Sequence, residues 1–198
     1  MIKKRVGVLI SGRGSNMRAL VEASRQNAYP AEIVFVGSNN PEAVGLAFAH
    51  KHGIPTAVVD HRNFASREDF DGALQLELTR HNLDIICCAG FMRIMTSVLI
   101  KPWSGRMLNI HPSLLPLYKG LNTHARALAD GATRHGASVH FISDELDGGQ
   151  VIEQVSLAIR PDDTVEKLSA RVLDIEHALY VKALALVASG KVHMKTAD

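Results

Sequence analysis

The sequence has little cysteine and little net charge, and each shortage excludes a class of protein. Only two of the 198 residues are cysteines. Cys87 and Cys88 are adjacent, so they rarely form a disulfide with each other, and they lack the ligand spacing of a zinc site. Lysine and arginine number 22 against 20 acidic residues, which gives a net charge of +2 and argues against broad electrostatic binding to nucleic acid. We expect small buried thiols in a reducing compartment.

The sequence also lacks a hydrophobic run long enough to cross a membrane. Its start, MIKKRVGVLISGRGSN, places basic residues before apolar ones, as a secretory signal does. The run VGVLI is too short for such a signal, and a Gly-rich polar loop follows it. We therefore expect a soluble cytoplasmic protein. Hydrophobic residues make up 46% of the chain, enough for a real core, and the length suits a single domain over residues 1–198.

Strand-like and helix-like runs alternate through the first half of the chain. The strand-like runs are residues 5–10, 31–38, 56–60, 83–90 and 106–111. The helix-like runs are residues 15–27, 41–53 and 66–82. Pro41 and Gly53 give the second helix its start and stop signals, and Phe70, Leu74 and Leu78 give the third an apolar stripe. Alternation of this kind predicts βαβ units and a mostly parallel, Rossmann-like sheet covered on both faces.

The pattern changes after Gly136. Residues 136–143 and 149–159 are strand-like and are joined by a short link with glycines, which predicts an antiparallel hairpin. A long helix over about residues 163–189 follows, with Asp163 and Glu166 spaced as a capping box. The predicted fold class is therefore α/β, with a mostly parallel twisted sheet of about seven strands, an antiparallel hairpin and a long C-terminal helix.

The segment GVLISGRGSNMRAL runs from a strand through a Gly-rich loop into a helix. Gly12 and Gly14 permit a tight turn, and Ser15 or Asn16 is a candidate helix cap. Free N–H groups at a helix N-terminus favour an anion. The third glycine of the dinucleotide fingerprint and the Lys-Ser/Thr pair of a Walker loop are absent. We favour a single phosphate monoester as the ligand, and an ordinary tight turn with a cap remains the alternative.

A second candidate site lies in MLNIHPSLLP, where Asn109 and His111 share one face at the end of a predicted strand. An amide can donate a hydrogen bond to a developing oxyanion, and an imidazole can transfer a proton near neutral pH. Asp147, followed by two glycines in DELDGG, is the candidate carboxylate that would orient the imidazole and favour its charged form. Asp144 and Glu145 are rivals but are typical of a solvated turn. Spacing alone leaves open a capping Asn, a structural His and a turn Asp.

The motifs SGRGSN, AGFMRI, LNIHPSLLP, GLNTH, SVHF and DELDGG together resemble the phosphoribosylglycinamide formyltransferase family, from Val6 to about Val192. The resemblance implies the formyltransferase fold and a role in purine biosynthesis. It implies transfer of the formyl group of 10-formyltetrahydrofolate, a cosubstrate, to the amine of glycinamide ribonucleotide. It implies small-molecule partners, no metal, and a monomer or weak homodimer.

The resemblance also implies roles for particular residues. Asn109, His111 and Asp147 match the catalytic trio of the family. The residues that match its ribonucleotide-binding positions are Gly14, Ser15, Asn16 and Glu176. The residues that match its folate-binding positions are Arg67, Met92, Arg93, Ile94, Asn109, Ser143 and Asp147. Without the resemblance, the sequence predicts that Glu176 is a solvated residue on a helix. It predicts that Arg93 pairs with a carboxylate.

Several alternatives accompany this interpretation. Asn122 stands where some members of the family have a histidine, so an imidazole has no direct role there. His124 is retained from the family motif, with a structural role as the alternative. His135 and His140 are interpreted as structural or exposed, and a metal at His50 and His52 is not favoured. A formyltetrahydrofolate hydrolase would share the trio, but we expect an extra N-terminal domain in it. A tRNA formyltransferase would need a further C-terminal module, and a non-catalytic nucleotide-binding module would leave the trio unused.

Overall fold

The computed structural model describes residues 2–195, in which a seven-stranded sheet is flanked by helices. The strands are β1 Lys4–Ile10, β2 Ala31–Ser38, β3 Thr56–Val58, β4 Ile85–Cys88, β5 Met107–His111, β6 Arg134–Phe141 and β7 Val151–Ala158. The helices are α1 Ser15–Ser24, α2 Gly45–Lys51, α3 Arg67–Thr79, α4 Ser97–Ile100, α5 Thr123–Ala129 and α6 Val165–Ala188. No helix among the described residues is long and apolar enough to cross a membrane.

The strand order is β3-β2-β1-β4-β5-β6-β7. The first five strands in this order pair in parallel, while β6 pairs antiparallel with both β5 and β7. The predicted α/β fold, its hairpin and its long last helix are thus confirmed. From β1 the chain crosses to β2 on one side, and from β4 it crosses to β5 on the other side. The two connections therefore run in opposite directions along the sheet, and a crevice opens between them at the carboxyl ends of β1 and β4. The loops that follow β1, β4 and β5 meet at this edge.

Two apolar layers cover the sheet, one on each face. Val8 and Ile10 of β1 lie in the layer that contains α1 and α6, whereas Leu9 lies with α3 in the other layer. Alternate strand residues point to opposite faces, so a run with both faces buried is apolar throughout. Cys87 and Cys88 follow the same rule: both thiols are free and buried, one in each layer.

Two predicted helix ends differ from the structure. Helix α6 is capped by Thr164, whose Oγ1 accepts a hydrogen bond from the Lys167 N–H. Asp163 instead accepts the Arg160 N–H at 2.8 Å, so its assignment as the cap is wrong. Helix α2 begins at Gly45 rather than near Pro41, because residues 41–42 form a turn closed by the Asn40 side chain.

Candidate active site

Strands β5 and β6 bring two polar side chains together at the carboxyl end of β5. Asn109 is paired with His140 across the antiparallel ladder, and directly paired residues share a face. The Asn109 Nδ2 atom lies 3.2 Å from His140 Nε2. His140 Nδ1 lies 2.8 Å from the Phe141 carbonyl oxygen, which can only accept, so this nitrogen carries the proton. In the neutral ring, Nε2 is then the acceptor for the Asn109 amide.

Asp147 lies between two imidazoles. Its Oδ2 atom is 3.4 Å from His111 Nδ1, and its Oδ1 atom is 3.6 Å from His140 Nε2. The Gly120 N–H donates to Oδ2 at 2.9 Å. Burial acts to raise the pKa of the Asp147 carboxyl, but the neighbouring His140 and His111 imidazoles and the hydrogen bond from the Gly120 N–H outweigh it, so the pKa lies below its ordinary value. The carboxylate is therefore charged at neutral pH.

His111 is 6% exposed, and both of its ring nitrogens face oxygen acceptors. The Nδ1 atom faces Asp147, and the Nε2 atom lies 3.0 Å from the Tyr118 carbonyl oxygen. Because a carbonyl oxygen accepts and a carboxylate accepts, this arrangement suits an imidazolium that donates from both nitrogens. The structure thus brings Asn109, His111 and Asp147 into one cluster, with His140 as its fourth member.

The Gly-rich loop after β1 ends at the N-terminus of α1, as predicted, but its capping differs. Gly14 is the N-cap residue, with φ +69°, and no side chain caps the helix. Ser15 and Asn16 belong to the first turn, so their assignment as caps is wrong. A Cβ at position 14 would lie 3.2 Å from the Gly45 Cα, which explains why a glycine stands there.

A cavity of about 350 Å³ lies over this loop, beside His124 and Pro112. Asn16 and Glu176 are both buried in its wall, and the Asn16 Nδ2 donates to Glu176 Oε2 at 2.7 Å. Burial raises the pKa of the Glu176 carboxyl, and the bond from Asn16 opposes this effect. Because Glu176 is only 7% exposed, the interpretation of it as a solvated helix residue is wrong. Gly14 and Ser15 line the same cavity.

The predicted folate-binding residues lie in three segments around the carboxyl edge of the sheet. Met92, Arg93 and Ile94 follow β4, which pairs with β5 so that Cys88 lies beside Asn109. Met92 and Ile94 are 70% and 53% exposed. Ser143 lies in the loop that also carries Asp147, and Arg67 is the exposed first residue of α3. Among residues 2–195, no side-chain hydrogen bond or ion pair joins Arg67 to the cluster, so its role stays a prediction.

The sequence interpretation did not assign the histidines near the cluster to the active site. His140 is 2% exposed and contacts both Asn109 and Asp147, so its assignment as structural or exposed misses its place in the site. His124 lines the cavity, and its Nδ1 lies 3.1 Å from His135 Nε2. Burial, and then the neighbouring His124, lower the pKa of His135 to about 4. The alternation in SVHF could have placed His140 on an inward face, but not beside Asn109.

The region of the chain that the structure describes contains no group of three or more His, Cys, Asp or Glu side chains arranged to hold a metal ion. Asn122, the position that departs from the family motif, is the N-cap residue of α5 with φ +57° and makes no capping side-chain bond. A left-handed backbone is tolerated well by asparagine. Asparagine therefore suits the backbone of this turn, and its side chain is exposed.

Comparison with known proteins gives concordant matches. The family model described as formyl transferase matches residues 4–184. The phosphoribosylglycinamide formyltransferase of Escherichia coli strain K12 is 43% identical over 187 residues, which are 94% of this chain and 88% of that protein. The human trifunctional purine biosynthetic protein adenosine-3 is 46% identical over 192 residues, which are 97% of this chain. The chain spans only 19% of that trifunctional relative.

Solved structures agree with these matches. The phosphoribosylglycinamide formyltransferase of Coxiella burnetii, solved in complex with CHES, has a TM-score of 0.92 and 44% identity, and the match covers 98% of this chain and 91% of that one. The same-named protein of Brucella melitensis has a TM-score of 0.90 and 46% identity, with coverage of 98% and 100%. The likeness in fold and sequence extends over nearly the whole chain.

Proposed function

The chain belongs to the formyl transferase family, and from that membership we propose that it transfers the formyl group of 10-formyltetrahydrofolate to the amine of glycinamide ribonucleotide. The observation that carries the proposal is the cluster of Asn109, His111, Asp147 and His140 beside a cavity floored by a Gly-rich loop. An acyl transfer needs donors for an oxyanion and a group that moves protons, and this cluster offers both. The ribonucleotide and the formyl folate are both substrates, and purine biosynthesis is the proposed pathway.

In the proposed reaction, the neutral amine of the ribonucleotide attacks the formyl carbon, and a tetrahedral intermediate with an oxyanion forms. Asn109 and the doubly protonated His111 donate hydrogen bonds to that oxygen. Asp147 keeps the imidazolium charged and oriented. The intermediate then collapses, the bond to the folate nitrogen breaks, and that nitrogen receives a proton while the amine loses one. No covalent bond to the protein is formed, and neither buried cysteine takes part.

In the present structure the Nε2 atom of His111 is bonded to the Tyr118 carbonyl oxygen. A donor that is already bonded must exchange partners before it can reach a substrate. Catalytic hydrogen bonds often change partners or tighten in the reacting complex, so we expect the segment around Tyr118 to release His111 when both substrates bind.

The proposed binding sites follow the same geometry. The ribonucleotide phosphate is proposed to bind the N–H groups at Gly14, Ser15 and Asn16, since a helix N-terminus attracts anions. Glu176 is proposed to accept hydrogen bonds from the ribose hydroxyls. The folate is proposed to lie along Met92, Arg93 and Ile94 and the loop of Ser143, with Arg67 nearby.

One assay tests the proposal. The purified protein is given 10-formyltetrahydrofolate with and without glycinamide ribonucleotide, and loss of the formyl group and formation of formylated ribonucleotide are both followed. We expect turnover only when the ribonucleotide is present. Release of formate at the same rate without it would assign the chain as a hydrolase instead. Binding of the ribonucleotide without any turnover would assign a non-catalytic binding module.

A further inference from the structure

The loop between β4 and α4, residues 89–96, is tied to the body of the fold at two points by side chains. The Ser11 Oγ atom accepts the Met92 N–H at 2.7 Å, and the Asp71 Oδ2 atom accepts the Thr96 N–H at 2.5 Å. Between these two anchors lie Arg93 and Ile94. Neither anchor belongs to the cluster around His111, and neither matches a substrate-binding position of the family, although Ser11 is the first residue of the SGRGSN motif.

Asp71 is an acidic residue at a position where burial disfavours the charged side chain. It lies on α3 and is 0% exposed. Burial raises the pKa of its carboxyl, and the hydrogen bonding of Thr96 and the positive charge of Arg93 act in the opposite direction. A buried carboxylate destabilises a fold unless it is bonded. The neighbouring Phe70 already packs on Phe91, with ring centroids 6.5 Å apart, so an apolar contact between α3 and the loop exists without the charge.

The other anchor is part of a wider hydrogen-bond network. The Ser11 hydroxyl donates to Asn39 Oδ1 at 2.5 Å while it accepts from Met92, so both of its hydrogen-bonding roles are fixed. The Ser11 N–H also donates to the Gly90 carbonyl oxygen at 3.1 Å. Ser11, Gly90 and Met92 all line the cavity proposed for the ribonucleotide. The loop is therefore a wall of that cavity at one end and carries the proposed folate residues at the other.

We propose that Ser11 and Asp71 are positioning residues that hold residues 91–96 as a shared wall between the two substrate sites. This inference rests on the proposed function. Ser11 fixes the end of the wall that faces the ribonucleotide, and Asp71 fixes the end that follows Arg93 and Ile94. Neither residue contacts the reacting atoms, so their loss changes the binding of substrates rather than the chemical step.

The test uses Asp71→Asn, which keeps the side-chain volume but removes the charge from the bond to Thr96. Bonds to ionised acceptors are about twice as strong as neutral ones, so we expect the KM for 10-formyltetrahydrofolate to rise about tenfold. We expect kcat and the KM for the ribonucleotide to change less than about twofold, because the cluster and the Gly-rich loop keep their own contacts. Ser11→Ala should raise both KM values and again leave kcat nearly unchanged.

The matched control is Asp84→Asn. Asp84 also accepts a backbone N–H, that of Arg5 at 2.8 Å, but at the amino edge of the sheet. Both KM values should stay at the wild-type values in this variant. If Asp71→Asn folds and behaves like Asp84→Asn, the inference is wrong while the proposed function stands. If Asp71→Asn does not fold, an unchanged folate KM in Ser11→Ala overturns the inference and a raised one supports it.

A second measurement decides the inference even if the wild-type protein shows no turnover. Hydrogen–deuterium exchange of the amides in residues 91–96 reports directly on the two anchors. We expect exchange there to accelerate about tenfold or more in Asp71→Asn, with residues 4–10 unaffected, because one bonded N–H loses its charged acceptor. Equal exchange in variant and wild type would overturn the proposed anchoring.

Discussion

The amide nitrogen Nδ2 of Asn16 lies 2.7 Å from Glu176 Oε2, although 160 residues separate the two in sequence. Asn16 belongs to the first turn of α1, and Glu176 lies in the middle of α6. Both side chains are buried, so the bond forms away from bulk water, where a charged acceptor is costly unless it is bonded. The contact joins the first loop to the last helix at the wall of the proposed ribonucleotide site.

Glu176→Gln tests this contact. The substitution keeps the shape of the side chain but removes its charge, so charge-assisted bonds to Asn16 and to ribose hydroxyls are weakened. We expect the KM for glycinamide ribonucleotide to rise about tenfold with kcat within a few-fold of wild type. Steady-state kinetics with each substrate varied in turn measures both values. Glu153→Gln, which removes the ion pair between Glu153 on β7 and Lys182 on α6, is the control and should leave both values unchanged.

His111→Ala removes the imidazole that faces Asp147. We expect kcat to fall by about 10³-fold, since proton transfer and oxyanion stabilisation each contribute factors of this order. Affinity for the ribonucleotide, measured by calorimetric titration, should remain within about twofold because the Gly-rich loop is untouched. The exposed His50 offers a control, His50→Ala, with wild-type turnover. Loss of affinity with preserved turnover at saturation would contradict the assignment.

Asp147→Asn leaves the loop length unchanged but removes the charged partner of His111. We expect kcat to fall by about 10²–10³-fold, because a neutral amide stabilises an imidazolium less well than a carboxylate does. The pH–rate profile should also differ from that of wild type, because the charged carboxylate of Asp147 is gone. Asp144→Asn, an exposed carboxylate in the same loop, is the control and should retain both rate and profile. Identical profiles for Asp147→Asn and wild type would rule out the proposed role.

Protein stability should depend on pH through His135. Its pKa falls from 6.5 to about 4 on folding, chiefly because the ring is buried. The unfolded chain therefore binds a proton that the folded chain does not, and the folded state loses stability as the pH falls from 6.5 towards 4. After a discount for solvent screening, we expect a loss on the order of 2 kcal/mol in the free energy of unfolding.

Urea denaturation at a series of pH values measures this dependence. His135→Gln removes the titrating ring and should flatten the curve between pH 6.5 and 4, even if the variant is less stable throughout. A curve as steep in His135→Gln as in wild type would assign the dependence to other groups. His124, whose pKa is also lowered by burial and by His111, acts in the same direction, so a residual slope in the variant is expected.

Local features of the fold were predictable because their causes are local. Strands with both faces covered are apolar throughout, which is visible in the runs around Val8 and Cys87. The stripe of Phe70, Leu74 and Leu78 is buried as its spacing predicts. Helix caps were predicted less well, since two oxygen-bearing neighbours such as Asp163 and Thr164 compete for one role. Asp163 instead bonds to the backbone N–H of Arg160 in a local turn and pairs with Arg171, whose guanidinium is brought to it by helix α6.

The sequence by itself determined the alternation of strands and helices, the Gly-rich loop before α1 and the placement of Asn109 and His111 on one face of β5. These follow from side-chain period and from the conformations that glycine permits. Only the tertiary structure decided that Asp147 lies between His111 and His140, and that Glu176 accepts a hydrogen bond from Asn16. The reason is that strand pairing and helix docking set which distant residues meet, and both are settled by burial of the whole core rather than by any short segment.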